Sequence, residues 1–295
     1  MVNYYDYVRS LPELYKQFPC RDLLFQLGEC SPDFERAEYW SEQNAFIYVQ
    51  SGRLILSNRK ESWHLQKGDL VFLKKGCFGV EKTDYDTFCS LLIHVPDRFI
   101  RNFMRQHTDV FSTVALPIAS GDMVLPMAHA HQVKSLNDLI TPILLSGSEP
   151  TEEPVESAFR DFLFEALTHT SNGDLKAYFH KVAFSKVNEL KEVMERTCLF
   201  DLDFPGYARL CHRSLSAFKR DFLQLFSVQP GKWLTEKRLE GAHHLLLTTD
   251  KPILNIAMEC GFGNYTHFSR VFKNFFGISP LQCREQRISM TAHFS

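Results

Sequence analysis

FPGYARLCHRSLSAFKRDFLQLF at Phe204–Phe226 and ILNIAMECGFGNYTHFSRVFKNFF at Ile253–Phe276 share one grammar. Each reads as a short apolar helix, a tight turn, and a second helix that is apolar on one side and polar on the other. In a helix-turn-helix the second helix enters a major groove and its N-terminal side chains reach base edges. A lone amphipathic helix is most often an ordinary solvated face. Two such units in tandem, each followed by a Pro-containing turn (Val228–Gly231 and Ile278–Pro280), point instead to DNA reading.

The pattern assigns faces. Ser214 is placed to cap the first reading helix. Phe218, Phe222 and Leu225 should face its core, with Ser216, Ala217, Lys219 and Arg220 outward. In the second unit Gly261 supplies the tight turn and Asn264 the cap. Phe268, Val271, Phe272 and Phe275 should be core, leaving Tyr265, Thr266, His267, Arg270 and Lys273 outward. Arg220 and Arg270 suit bidentate contacts to guanine or a phosphate clamp. Tyr265, Thr266 and Ser216 suit bases or phosphate, while Lys219, Lys273, Lys232 and Lys237 suit phosphates, which add affinity but little sequence information.

Outward from these units, Lys232–Leu247 reads as a long connecting helix, and Asp250 with Pro252 marks the start of the next. Asp203 or a neighbour can cap the helix before the first turn, and Val182–Thr197 reads as the first helix of this domain. Thr168–Asp174 (THTSNGD) is polar and carries an Asn-Gly turn, which suits a boundary. The expected layout is a domain over 1–170, a linker over 171–180 and a DNA-binding domain over 181–295. A chain of 295 residues, 44% hydrophobic with 26 Phe, has material for two cores. Residues 180–295 hold 16 Lys and Arg against 11 Asp and Glu, and the remainder 17 against 24. A basic C-terminal part beside an acidic one fits a nucleic-acid domain attached to a non-binding one.

From Ala45 to Pro96 the text changes to short runs, AFIYVQ, RLILS, DLVFLKK and CSLLIHV, punctuated by Gly52, Gly68, Gly76 and Gly79. Their length and branched or aromatic content suit a small antiparallel barrel or sandwich. Three helical stretches follow, Asp97–Val110, Ser135–Leu145 and Pro154–Thr170, able either to cover the barrel or to form a dimer interface. The eight cysteines form no CxxC pair, which argues against a zinc module and suits a reducing cytoplasm. The start MVNYYDYVRS has no signal-peptide pattern, and no apolar stretch approaches a bilayer span.

The stretch Phe204–Gln286 closely resembles the DNA-binding domain of AraC/XylS-type transcription regulators. The text that carries the resemblance is Arg238-Leu239, Ala242, Leu245–Leu247, Ile256-Ala257, Gly261-Phe262, His267-Phe268-Ser269-Arg270, Phe272-Lys273, Phe276-Gly277 and Ser279-Pro280. The resemblance implies about seven helices and two reading helices set into successive major grooves, about 34 Å apart. By the same resemblance the base-facing positions are Ser216, Lys219 and Arg220, and Tyr265, Thr266, His267 and Arg270. The first unit departs from the family: Cys211 and His212 occupy a turn where many members have Gly.

NAFIYVQSGRLIL and LQKGDLVFLKKG look like a cupin-type barrel, the sensing half of many such regulators. The implied fold class is multidomain α+β, an N-terminal cupin-like antiparallel β-barrel with flanking helices before an all-α domain. Metal-dependent cupins need clustered histidines with a carboxylate. Here Glu42, Gln43 and Asn44 stand where paired histidines are expected, and His64 and His94 are isolated, so no metal or cofactor is expected. His129 and His131 lack a third ligand nearby, and His243-His244 on one helix point about 100° apart. An effector would then lie among Phe46, Tyr48, Trp63 and Phe72, with Phe78 and Phe88 on the same interior.

Three functions compete. The first is a cytoplasmic, bacterial, sequence-specific transcription regulator, an activator before a repressor. It would be controlled by a small molecule or protein on the N-terminal domain. Its partners would be duplex DNA and RNA polymerase, with no membrane role and a homodimer left open. The second is a metal-dependent cupin enzyme fused to a DNA-targeting module, against which the missing ligand cluster counts. The third is a scaffold with a vestigial DNA domain, against which Arg220, Arg270 and Lys273 count.

Overall fold

The strand Asn44–Ser51 is buried from Asn44 to Val49 with no alternation. Such a strand has an apolar neighbour on each face, and here one face meets a second sheet and the other meets helices. The computed structural model describes residues 1–12, 14–29, 36–82, 88–111, 120–127, 131–147, 151–184 and 189–292. The chain divides into two units, Val2–Val187 and Asn188–Ser295.

The N-terminal unit runs β1 (Val2–Asn3), α1 (Tyr4–Arg9), β2 (Tyr15–Cys20), β3 (Leu23–Glu29), β4 (Arg36–Ser41), β5 (Asn44–Ser51), β6 (Arg53–Ser57), β7 (Ser62–Gln66), β8 (Leu70–Leu73), β9 (Gly76–Lys82) and β10 (Cys89–Val95). Then come α2 (Asp97–Gln106), α3 (Thr108–Phe111), β11 (Val124–Pro126), α4 (His131–Ser146), α5 (Glu152–Thr168) and α6 (Gly173–Phe184). One sheet has the order β1-β4-β9-β6-β7 and the other β11-β8-β5-β10-β3-β2. This is the cupin-like arrangement the sequence suggested. It is an open pair of sheets, since among the described residues no ladder joins the edges of one sheet to the other.

Register decides which residues meet between the sheets. Ile47 lies opposite Leu92 and Ala45 opposite His94, so these face the gap while Phe46 and Tyr48, opposite Ile93 and Leu91, face away. On that outer face α2, α4, α5 and α6 cover the larger sheet, and Phe99, Ile100, Phe103 and Met104 of α2 are buried there. Burying a side chain of this size is worth about 1.5–3 kcal/mol. A polar network crosses the same layer. Lys75 Nζ donates to Asp97 Oδ2 at 2.6 Å, Asn44 Nδ2 to Asp97 Oδ1 at 2.9 Å, and Tyr178 Oη to Asn44 Oδ1 at 2.7 Å. With its partners paired in this way, the buried Asp97 carboxylate is compensated.

The segment 171–180, read from the sequence as a linker, lies inside this unit. It holds the end of a 3-10 turn, Thr170–Asn172, and the start of α6, whose Tyr178 and Phe179 are buried. Asn172 donates Nδ2 to the Ala166 carbonyl at 3.0 Å. The polar run therefore turns the chain between two helices that share a core.

The second unit holds seven helices among the described residues: α7 (Glu189–Thr197), α8 (Phe204–Leu210), α9 (Leu215–Phe226), α10 (Pro230–Thr248), α11 (Ile253–Glu259), α12 (Tyr265–Phe276) and α13 (Pro280–Ala292). Pro230 and Pro280, read as turn residues, are each the first residue of a helix, where a missing N–H costs nothing. Of the helix expected over Val182–Thr197, the end of α6 and the whole of α7 fall within the described residues, and 185–188 lie outside them. α10 serves both halves. Trp233 packs on Phe222 and Phe226 with ring centroids 5.7 and 5.1 Å apart, while Leu239, Ala242 and Leu246 enter the core with Phe268 and Phe272.

Candidate nucleic-acid interface and inter-sheet cavity

The two turns are the same structure built twice. Cys211 N bonds Tyr207 O at 3.1 Å, His212 N bonds Arg209 O at 2.9 Å and Arg213 N bonds Ala208 O at 2.9 Å. In the second unit Cys260, Gly261 and Phe262 bond Ile256, Met258 and Ala257 at 3.0, 2.9 and 2.9 Å. The central residue is left-handed in both, φ 52° at His212 and 79° at Gly261. Histidine is among the side chains that adopt this region more readily, so the departure from Gly leaves the turn intact.

Each reading helix then starts from a side-chain cap. Ser214 Oγ accepts from Ala217 N at 3.3 Å, and Asn264 Oδ1 from His267 N at 2.9 Å. Each ends on a left-handed residue, Ser227 or Gly277. Each cap satisfies one of the backbone N–H groups that the first turn leaves without an intrahelical partner.

The packed ridges follow i, i+4, i+8: Phe218, Phe222, Phe226 and Phe268, Phe272, Phe276, the last of each half-buried, with adjacent centroids 4.4–5.7 Å apart. Leu225 and Phe275, placed in the core by sequence, are exposed. They sit on the flank of that inclined ridge, where the packed neighbours run along the phenylalanines. Ser216, Lys219 and Arg220 on α9 are all exposed. So are Tyr265, Thr266, His267, Arg270 and Lys273 on α12. Arg270 Nη2 lies 3.3 Å from His267 Nδ1, so these two side chains present one joint surface.

Arg220 is not idle. Its Nε and Nη2 reach Asp221 Oδ1 at 3.0 and 2.9 Å, and Arg213 Nε holds Asp221 Oδ2 at 3.0 Å. Arg213 first and Arg220 second hold the Asp221 carboxyl below its usual range. The Arg220 side chain is nonetheless 74% exposed, free to swing to another anion. Lys232 and Lys237 stand beside acids as well, Glu236 at 4.0 Å and Glu240 at 2.6 Å.

Sequence reasoning missed the role of Arg238. Its guanidinium donates to the carbonyls of Cys198 (3.0 Å), Phe200 (2.6 Å) and Gly261 (2.8 Å). In the sequence it stands out only within the family resemblance. No local pattern shows that one side chain on α10 brackets a loop after α7 and the turn before α12.

In the N-terminal unit a cavity of about 230 Å³ lies between the sheets. It is walled by tyrosines Tyr4, Tyr7, Tyr15 and Tyr39, by Ile47, Leu54, Leu56 and Leu92, and by Gln43, Ser90 and His94. Of the residues read from the sequence as an effector site, four do not line this cavity. Phe46, Tyr48 and Phe72 belong to the opposite, helix-covered face, where Phe46 meets Phe162 at 5.3 Å and Phe72 meets Phe179 at 5.4 Å. Trp63 is half-buried and packs against the inter-sheet core beside a second groove, without lining the cavity. Phe78 and Phe88 do line the cavity. The reason is the period of two: in β5 the large rings occupy even positions and the gap is faced by odd ones.

His94 is buried, and its Nε2 lies 3.1 Å from Gln26 Oε1. That oxygen can only accept, which puts the ring proton on Nε2. Burial lowers the His94 pKa to about 4. Among the described residues no group of three or more His, Cys, Asp and Glu side chains could hold a metal ion. Glu42 and Asn44 serve structure instead, Glu42 Oε2 accepting from Asn3 Nδ2 at 3.1 Å. His129 and the side chain of His131 lie outside the described residues. His243 stacks on Phe276 with centroids 4.6 Å apart. No disulfide joins the described cysteines, and no described helix is long and apolar enough to cross a membrane.

Two family models match the chain, a helix-turn-helix domain over residues 207–286 and an ExsA N-terminal regulatory domain over residues 44–178. The virulence regulon transcriptional activator VirF of Yersinia enterocolitica is 25% identical over 272 residues, covering 91% of this chain and 98% of its own length. The HTH-type transcriptional regulator ExsA of Pseudomonas aeruginosa is 26% identical over 272 residues, covering 88% and 93%. Among solved structures, ToxT from Vibrio cholerae is 13% identical over 91% of this chain and 98% of its own, with a TM-score of 0.40.

Proposed function

The chain belongs to the AraC/XylS family of transcriptional regulators, and on that premise we propose how it reads its target. It is a sequence-specific DNA-binding activator controlled through its N-terminal unit. Ser216, Lys219 and Arg220 face one major groove, and Tyr265, Thr266, His267 and Arg270 the next, with Lys273 on a phosphate. The observation that carries this assignment is the doubled unit: two identical turn geometries, each followed by a capped helix with these side chains exposed.

The connecting helix supports the spacing. α10 has 19 residues, a length of roughly 28 Å at the standard rise. That is comparable to one duplex turn, about 34 Å. RNA polymerase is the partner an activator needs. The domain division we propose follows the two observed units, with the change falling near residues 187 and 188. The site of action is the cytoplasm, where the DNA lies.

Nuclease footprinting on genomic sites tests the reading. Protection of two adjacent major-groove segments one turn apart, with affinity falling steeply as salt rises, is the expected result. A single protected segment overturns the two-grip assignment, and a footprint longer than two such segments reports a homodimer.

A further inference from the structure

The cavity between the sheets has a wall of uniform electrical character. Among the described residues it presents hydroxyls, one imidazole, one amide and apolar side chains, and no Lys, Arg, Asp or Glu. Burial keeps the imidazole of His94 neutral and lifts the phenols of Tyr4 and Tyr39, Tyr39 to about 12. Two buried acceptors in this wall have no hydrogen-bond partner, His94 Nδ1 and Gln43 Oε1. A buried polar atom left unpaired is costly, so the wall favours a guest that brings an O–H or N–H to it. A carboxylate brings only acceptor oxygens, and losing its hydration with no cation to meet it is more costly still.

Size narrows the class further. An apolar cavity of ~150 Å³ takes up a benzene ring; 230 Å³ leaves room for a ring with a short substituent. We propose that this cavity binds a small neutral molecule with a hydrogen-bond donor, a phenol-like or alcohol-like ligand of about nine heavy atoms, and refuses carboxylates. This rests on the regulator reading above, in which the N-terminal unit receives the controlling signal, and it names the chemistry of that signal. His94 Nδ1 takes the donor, and Ile47, Leu54, Leu56 and Leu92 hold the apolar body.

The test uses the full chain and three single-ring probes of closely matched size, 4-ethylphenol, benzoate and ethylbenzene, each titrated calorimetrically. The phenol should bind one per chain and exceed the benzoate by at least about tenfold. In His94→Leu, which keeps the wall apolar, the phenol should fall to the level of ethylbenzene while ethylbenzene itself is unchanged. Equal affinity for phenol and benzoate overturns the inference, as does no phenol binding at all, or a phenol preference over ethylbenzene that survives in His94→Leu. The wild-type comparison decides the matter even if the variant fails to fold. Footprinting the same preparation separates the two claims: DNA protection with no phenol binding removes the cavity assignment alone, whereas loss of protection removes the regulator reading.

Discussion

Arg238 Nη1 donates to the carbonyl of Gly261 at 2.8 Å, so the helix shared by both units grips the left-handed residue of the second turn. A Cβ at Gly261 would lie 2.9 Å from Arg238 Cζ and 3.1 Å from the Leu199 carbonyl oxygen. Gly261→Ala should therefore lose about 2 kcal/mol or more, from the positive φ and the displaced guanidinium together. Arg238→Lys keeps the charge but cannot fork to three carbonyls, and should cost about 2–3 kcal/mol. Urea unfolding of both variants checks this; midpoints equal to wild type would refute the bracket.

Asp221 on the first reading helix holds two arginines, Arg220 beside it and Arg213 in the turn before. Asp221→Asn removes a negative charge that repels phosphate and releases Arg220. Affinity for duplex should rise, and the salt slope should steepen by about 0.9 if the freed arginine takes one phosphate. Binding isotherms over a range of salt measure it. An unchanged slope would mean that Arg220 already leaves Asp221 in the complex.

Arg270 is exposed and lies beside His267. Arg270→Ala should weaken specific binding by about 1–3 kcal/mol and relax the preference at one base pair. Equal losses on the target and on random duplex would assign Arg270 to the backbone and not to a base.

His94 gives the N-terminal unit a pH dependence. Its folded pKa, about 4, lies below the ordinary value near 6.5. The unfolded chain therefore takes up a proton between those values and the folded chain does not. The stability is complete above about pH 6.5 and falls as pH drops toward 4. Between pH 7 and pH 5 the loss should be about 2 kcal/mol greater in wild type than in His94→Gln. Chemical unfolding at both pH values compares them; parallel losses would show that His94 does not carry the effect.

How much of this was legible in the sequence depended on how local its cause is. Ser214, Asn264 and Gly261 act within a few residues of themselves, so caps and turn could be read directly. The phenylalanine ridges were mostly legible, but Leu225 and Phe275 were not, because helical periodicity gives a stripe without its tilt. Ser216, Lys219 and Arg220 on α9 and Tyr265, Thr266, His267, Arg270 and Lys273 on α12, read as outward, are exposed. β5 hid its orientation, since both faces are buried and the apolar–polar alternation that would separate Phe46 from Ile47 is missing. The polar run THTSNGD looked like a boundary because composition cannot tell a tight interhelical turn from a tether.

α10 also works as a ruler. An extra residue in its middle would push one end along by about 1.5 Å and rotate it by about 100°, turning one reading helix away from its twin's direction. Point changes on α9 or α12 alter which letters each grip prefers and leave the interval between them untouched. On the two-groove reading proposed above, target sites can therefore drift in spelling, while the phase of their two halves follows from the length of one helix.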